Sequence, residues 1–166
     1  ISKKLVYRHQ HVYKNKLNLT DNQVKMNWES LKLKDGKNSV LEGVPKTLPS
    51  ILKSMRVQEK ASNVGFNWSS EKEAKEKVEE ELNELYEEIN SGNFQKINEE
   101  FGDVLFSLIN YGKHIGVNPD SSLEKANKKF IERFMKLEKI MKNENKTFEN
   151  STKKELKKYW KIVKKN

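Results

Sequence analysis

Apolar residues recur every three or four positions along nearly the whole chain, and no stretch alternates over a length useful to a strand. The spacing predicts helices over about 48–62, 71–90, 96–115, 121–142 and 152–165. A weaker helix is expected over about 20–33, where Val24, Trp28 and Leu31 share a face. The opening "ISKKLVYRHQHVY" reads as a helix end running into a loop, and "KDGKNSVLEGVPK" (34–46) reads as a linker. Pro49 suits the first turn of its helix, where a missing N–H costs least. Thr152 and Glu155 form a capping box ahead of an apolar face of Leu156, Tyr159, Trp160 and Val163. No internal repeat is evident. The expected class is all-α, a helical bundle.

Composition narrows the function classes. At 166 residues the chain suits one domain with an appended segment and can bury a core. The formal net charge is +9, yet only three of the 33 basic residues are arginine and the lysines are spread evenly. Recognition of nucleic acid favours arginine forks and a basic stripe with interleaved aromatics, so charge alone argues weakly for that partner. The absence of cysteine excludes disulfides, thiolate metal sites and a cysteine nucleophile. No apolar run approaches a membrane span, and no secretory segment opens the chain, which points to a cytoplasmic protein. The first residue is Ile1, so further chain can precede it.

The two helices "VEEELNELYEEI" (78–89) and "NEEFGDVLF" (98–106) carry the main chemical signal. Their expected core stripes are Ala74, Val78, Leu82, Leu85 and Ile89, then Ile97, Phe101, Val104, Leu108 and Ile115. At about 100° per residue, Glu81 and Glu84 lie at about −60° and −120° from Val78. Glu100 and Asp103 lie at the same two angles from Ile97, about −60° and −120°. Glu79, Glu80 and Glu99 point outward. The short connection makes the helices antiparallel, and a turn centred near Gly92 sets Glu81 opposite Asp103 and Glu84 opposite Glu100. Four converging carboxylates repel one another and call for cations. Hard oxygen donors favour Mg²⁺ or Mn²⁺ over zinc. The competing reading is an acidic solvated face, which Glu-rich helices commonly have. Gly102, within a helix, marks either close backbone approach or tight packing.

Other candidates carry their own alternatives. The three histidines, His9, His11 and His114, never follow a Glu by three residues, which excludes a ferritin-like di-iron bundle. His114 reads as an ordinary half-buried or surface residue. On the helix 123–141 the expected stripe is Leu123, Ala126, Phe130, Phe134, Leu137 and Met141. Lys129 and Arg133 flank it, either as a clamp for polyphosphate or as two snorkelling surface bases. Asn127 falls within the stripe and is expected to have a hydrogen-bond partner. Trp160 reads by position as a core residue more readily than as a stacking platform.

Taken together, "LEGVPKTLPSILKSMRVQEKASNVGFNW", "EEELNELYEE", "EEFGDVLF", "KANKKFIERF" and "YWKIVKK" resemble the MazG family of all-α nucleoside triphosphate pyrophosphohydrolases. The likeness runs from about residue 40 to the end; residues 1–39 look like the end of a preceding domain and a linker. Residues 40–166 then resemble the catalytic, C-terminal half of a two-domain protein.

The resemblance implies hydrolysis of nucleoside triphosphates to the monophosphate and diphosphate with Mg²⁺, in a nucleotide house-cleaning role. It places metal ligands on Glu81, Glu84, Glu100 and Asp103, and phosphate-binding bases on Lys129 and Arg133. It makes Trp160 a contact for the base, and Lys77, Glu80 and Lys164 further substrate contacts. The proton acceptor would be one of the carboxylates or Glu80. The family also implies a homodimer, in keeping with more apolar residues than one hairpin can bury. A helical interaction module, or a helical nucleic-acid binder without catalysis, is the alternative class. Metal-dependent release of diphosphate separates the enzyme from both.

Overall fold

A computed structural model describes residues 38–165, excluding the side chain of residue 165. Among the described residues there are five helices and no strand: α1 (Ser50–Ser62), α2 (Glu71–Ser91), α3 (Phe94–His114), α4 (Pro119–Asn143) and α5 (Lys153–Lys165). The all-α expectation holds, and each of these five helices lies within two residues of its expected bounds. The opening stretch, the helix over 20–33 and the first part of the linker lie outside the described residues. The chain divides into two compact units, one ending at Val117 and the other beginning at Asn118.

In the first unit, turns carry the chain into α1, with the Val44 N–H donating to Leu41 O at 3.1 Å. Pro49 is the N-cap of α1, one position before its first turn, with extended ψ of 145° and no side-chain cap. Its carbonyl accepts from Lys53 N–H at 2.8 Å, so the proline sets the helix entry without losing a needed donor. Two polar residues of α1 are buried because each satisfies a carbonyl. Lys60 Nζ donates to Val40 O at 3.0 Å, and Gln58 Nε2 donates to Phe106 O of α3 at 2.8 Å. The second bond ties α1 to α3.

Ser70 caps α2, accepting from Glu73 N–H at 3.2 Å, while Glu73 reaches back to Ser69 N–H at 2.9 Å. The helix ends at Gly92, whose φ of +74° is the left-handed conformation that favours glycine. Asn93 then caps α3 by accepting from Lys96 N–H at 3.3 Å, which starts that helix two residues earlier than its apolar pattern does. The two helices pack along their length. Lys96 Nζ meets Glu88 Oε1 at 3.1 Å, each four residues from Gly92, so the register is the one a turn centred on Gly92 dictates.

The expected stripes of α2 and α3 hold only in part. Ala74, Leu85 and Val104 are buried, whereas Ile89, Phe101, Leu108 and Ile115 are exposed. One hairpin plus a 13-residue α1 cannot cover both flanks of two 21-residue helices. Gly102 does not mark a close approach: a Cβ there would meet no heavy atom within 4 Å among the described residues.

In the second unit, Asn118 caps α4 by accepting from Ser121 N–H at 3.0 Å, with Pro119 in the first turn. Leu137, Met141, Tyr159 and Val163 form a closed core, with Ile140, Leu156 and Trp160 packed against it. The rings of Phe130 and Phe134, and of Phe134 and Phe148, stack at centroid distances of 5.9 and 5.4 Å. The capping box of α5 is present: Glu155 N–H donates to Thr152 Oγ1 at 3.3 Å, and Thr152 N–H donates to Glu155 Oε2 at 2.8 Å. Lys146 adds an ion pair to Glu155 at 3.0 Å. The expected stripe of α4 is exposed over its first half, at Leu123, Ala126 and Phe130, and Asn127 is exposed with it. The shorter α5 covers only the second half of α4, where Leu137 and Met141 lie.

Candidate functional site

The site grows from the α2–α3 register. With Glu88 and Lys96 paired four residues from Gly92, the next facing positions along the same flank are Glu84 and Glu100, then Glu81 and Asp103. Glu81, Glu84 and Glu100 each bring one carboxylate oxygen to within 4.8 Å of the others. Asp103 is exposed and stands outside this mutual group, but it lines the same cavity as Glu81. Its charge also acts on Glu100: burial first, then the charges of Glu84, Asp103 and Glu81, hold the Glu100 carboxyl above its ordinary value.

Glu81 is only 8% exposed, which makes it the buried member of the group. A buried carboxylate needs a partner, and Lys77 Nζ supplies one at 2.8 Å from the preceding turn. The same ammonium reaches Glu80 at 2.7 Å. Hydrogen bonds to Glu80 and then Glu81 raise the Lys77 pKa far above its usual value, so this cation is fixed at any physiological pH. Glu80 itself is exposed, as are Glu79 and Glu99.

Three carboxylates from two helices, without imidazole or thiolate, suit a hard divalent cation. The donor chemistry matches Mg²⁺ or Mn²⁺, and the spread of the oxygens leaves room for an ion between them. Exposed Glu84 and half-buried Glu100 leave the group open to solvent on one side, as a substrate-binding metal centre requires.

The group adjoins a cavity of about 440 Å³ whose lining includes Lys77, Glu81 and Asp103. Phe66 and Trp68, in the loop before α2, and Phe106 of α3 bring aromatic rings to the same lining. These aromatics lie outside the candidate set drawn from sequence. Two large aromatics in a loop, "GFNW", are the available signal, because apolar rings on a connection need a reason to be there. His114 is half-buried, with its Nε2 shielded and unpartnered among the described residues.

The remaining predicted residues belong to the second unit. Lys129 is exposed and Arg133 half-buried on α4. Trp160 is half-buried against the core, with its ring centroid 5.2 Å from that of Phe130. Lys164 Nζ stands 6.0 Å from the centre of the Trp160 ring, one turn along α5.

Residues 69–137 match the MazG nucleotide pyrophosphohydrolase domain. The matched segment contains all four carboxylates, Lys77, Glu80, Lys129 and Arg133. Over that segment the chain is similar to the MazG family. Over 167 residues it is 35% identical to the nucleoside triphosphate pyrophosphohydrolase/pyrophosphatase MazG of Thermotoga maritima, covering 99% of this chain and 63% of that protein. It is 33% identical over 147 residues to the nucleoside triphosphate pyrophosphohydrolase of Escherichia coli K12, covering 85% of this chain and 56% of that protein. An uncharacterized protein, YabN of Bacillus subtilis, is 35% identical over 164 residues, which is 96% of this chain and 34% of that protein. The chain therefore spans less than two thirds of the length of each of these relatives.

Proposed function

We infer that this chain hydrolyses nucleoside triphosphates to the monophosphate and diphosphate, using Mg²⁺, with Mn²⁺ as an alternative. The observation that carries this reading is the convergence of Glu81, Glu84 and Glu100 within 4.8 Å, inside a segment that matches the MazG domain. Asp103 completes the set of ligands we assign. A divalent ion held there would supply Lewis acidity toward phosphate oxygens.

The protein's own groups then have distinct tasks. Lys77 holds the buried Glu81 in place, because its ammonium is shared between Glu81 and Glu80 at 2.8 and 2.7 Å. A carboxylate oxygen, of Glu80 or of one of the four, takes the proton of the attacking water. The water oxygen bonds to the α-phosphorus, the bond from that phosphorus to its bridging oxygen breaks, and diphosphate leaves. Lys129, Arg133, Trp160 and Lys164 are retained as substrate contacts on the strength of the family resemblance.

Further parts of the reading are a homodimer, a cytoplasmic location and a role in clearing unwanted nucleotides. Residues 40–166 would form the catalytic region, with 1–39 a linker and the end of a preceding domain. Exposed Phe101, Leu105 and Leu108, spaced to share one face of α3, support the dimer. No helix among the described residues is long and apolar enough to cross a membrane.

The test is a nucleotide panel incubated with the 166-residue chain and Mg²⁺, resolved by chromatography. Monophosphate and diphosphate are expected, and chelator should abolish them. Release of orthophosphate with nucleoside diphosphate, or no metal-dependent product from any nucleotide, would overturn the reading. Light scattering tests the dimer; a chain that stays monomeric at micromolar concentration would remove that part.

A further inference from the structure

We propose that the outward face of α5 is a docking surface for duplex DNA, which Lys154, Lys157, Lys158 and Lys161 hold through its phosphate backbone without regard to sequence. None of these lysines is among the substrate contacts assigned above, so the hydrolase reading and this one stand or fall separately.

Averaged over the chain, charge says little about nucleic acid, because the lysines are spread evenly. The carboxylates are not. Residues 1–117 hold 18 basic and 17 acidic residues, a net of +1, whereas residues 118–166 hold 15 and seven, a net of +8. Within the second unit, α5 alone carries seven lysines and one acid over 13 residues. That acid, Glu155, turns to Lys146 in the preceding loop at 3.0 Å, so it neutralises no lysine of α5.

A solvated charged face is built differently. On α2, Lys72 and Lys75 meet Glu76 and Glu79 one turn on, at 3.6 and 3.3 Å. On α5, Lys154, Lys157, Lys158 and Lys161 are exposed and form no ion pair among the described residues. At about 100° per residue they fan out over about 60–160° from Trp160, away from the apolar face that joins Leu137 and Met141 in the core. Residues three and four apart stand about 5–6 Å from each other, so like charges crowd along one side of the helix. An open groove of about 1200 Å³ follows them, above the range of roughly 300–1,000 Å³ usual for a small-molecule site. A row of unpaired ammoniums beside such a groove calls for an extended polyanion.

The chemistry of the face selects among polyanions. A bilayer takes up an apolar face, and that of α5 is already closed into the core at Tyr159 and Val163, with Ile162 exposed by itself. Single-stranded nucleic acid is held by stacking its bases on exposed rings, and the rings of α5 turn inward: Tyr159 is buried, and Trp160 lies against Phe130. Protein interfaces are depleted in lysine. A duplex requires neither an apolar face nor rings, and it offers about one phosphate charge per 1.7 Å of its axis. Lysine meets phosphate as a point charge and lacks the guanidinium fork that reads base edges, which makes the contact independent of sequence.

The experiment follows, by fluorescence anisotropy, the binding of a labelled DNA duplex of arbitrary sequence to the 166-residue chain over a range of salt concentrations, with chelator present. The logarithm of affinity should fall against the logarithm of salt with a slope of about −3 to −4, about 0.9 for each phosphate neutralised. Lys158→Gln should make that slope shallower by about 0.9, and the triple variant Lys154→Gln/Lys158→Gln/Lys161→Gln by about 2.7. At about 50 mM salt the triple variant should bind at least about 100-fold more weakly. Both variants should keep the melting temperature of the unaltered chain and its Mg²⁺-dependent nucleotide turnover within about twofold, because the changes are confined to an exposed surface. Single-stranded RNA and phosphatidylserine vesicles should bind more weakly than the duplex at equal salt.

Unchanged duplex binding in the triple variant would overturn the proposal. So would a single strand or a vesicle bound more tightly than the duplex. If the triple variant melts early, Lys158→Gln alone decides: a shallower slope upholds the docking face, and an unchanged slope removes it.

Discussion

The α2–α3 hairpin and the α4–α5 hairpin solve opposite problems with the same kind of element. The second closes on itself: Met141 and Val163 are almost fully buried, and Tyr159 donates its hydroxyl to Glu144 beside them. Half-buried Glu155 is engaged by Thr152 and Lys146. The first hairpin gathers three carboxylates, buries one, and leaves Phe101, Leu105 and Leu108 in solvent. The contrast shows where each hairpin keeps its unfavourable terms. Like charges placed side by side stay separated only because a rigid two-helix frame holds them, with Glu88–Lys96 and Lys77–Glu81 as balancing pairs. The second hairpin concentrates the closed apolar core, and the first concentrates the crowded carboxylates.

The comparison breaks most sharply at Glu81. Glu81→Gln should lower Mg²⁺-dependent turnover by at least about 100-fold, because an amide is a neutral and weaker ligand for a hard cation. Glu80→Gln should cost far less, since Glu80 is exposed and lies off the converging flank. Equal losses in kcat for the two variants would mean that the carboxylates act as a diffuse negative patch, not as a built centre.

The mirror-image change is Met141→Ala in the closed core. It should destabilise folding by about 2–5 kcal/mol, the usual result of removing a fully buried Met side chain. Mg²⁺ affinity should hold in the folded protein, as judged by calorimetry below the melting transition. A loss of Mg²⁺ affinity as large as the loss of stability would show that the two hairpins are not energetically separable.

A smaller effect should come from the metal itself. Mg²⁺ at about 100 times its Kd should raise stability by about 2.7 kcal/mol, since it binds only the folded arrangement of carboxylates. Asp103→Asn should reduce that gain while leaving the metal-free protein as stable as before or slightly more so. No thermal shift in a chelator-stripped sample at millimolar Mg²⁺ would speak against the whole site.

The smallest effect belongs to the cap of α5. Hydrogen bonds from Thr152, the backbone one first, together with Lys146, depress the Glu155 pKa from 4.5 to about 2. A depressed carboxylate stabilises the fold fully above its unfolded value and loses that contribution as pH falls toward the folded value. The difference in melting temperature between the unaltered chain and Glu155→Gln should therefore be greatest above about pH 5 and shrink toward pH 2. A difference that is flat with pH would place the cap's worth in geometry and not in charge.

How far the sequence alone reaches is visible residue by residue. The cap at Thr152 was legible because it is a local transaction between a side chain and a backbone N–H three residues on, whereas the caps at Asn93 and Asn118 start their helices two residues before the apolar pattern does. The facing of Glu84 with Glu100 follows from two local quantities, the 100° step of a helix and the position of the turn glycine. Burial is a different matter, because it depends on what else arrives. Phe101 and Val104 read alike along the chain, but only Val104 meets a neighbour that covers it. Gly102 suggests close packing and faces open space. The cavity is the furthest from sequence, since Gln58 must cross from α1 to Phe106 and the loop at Trp68 must fold against α3 before any lining exists. Periodicity and capping are properties of segments a few residues long, and a chain states them by itself. Coverage and cavities are properties of surfaces brought together from distant segments, so only the tertiary structure decides them.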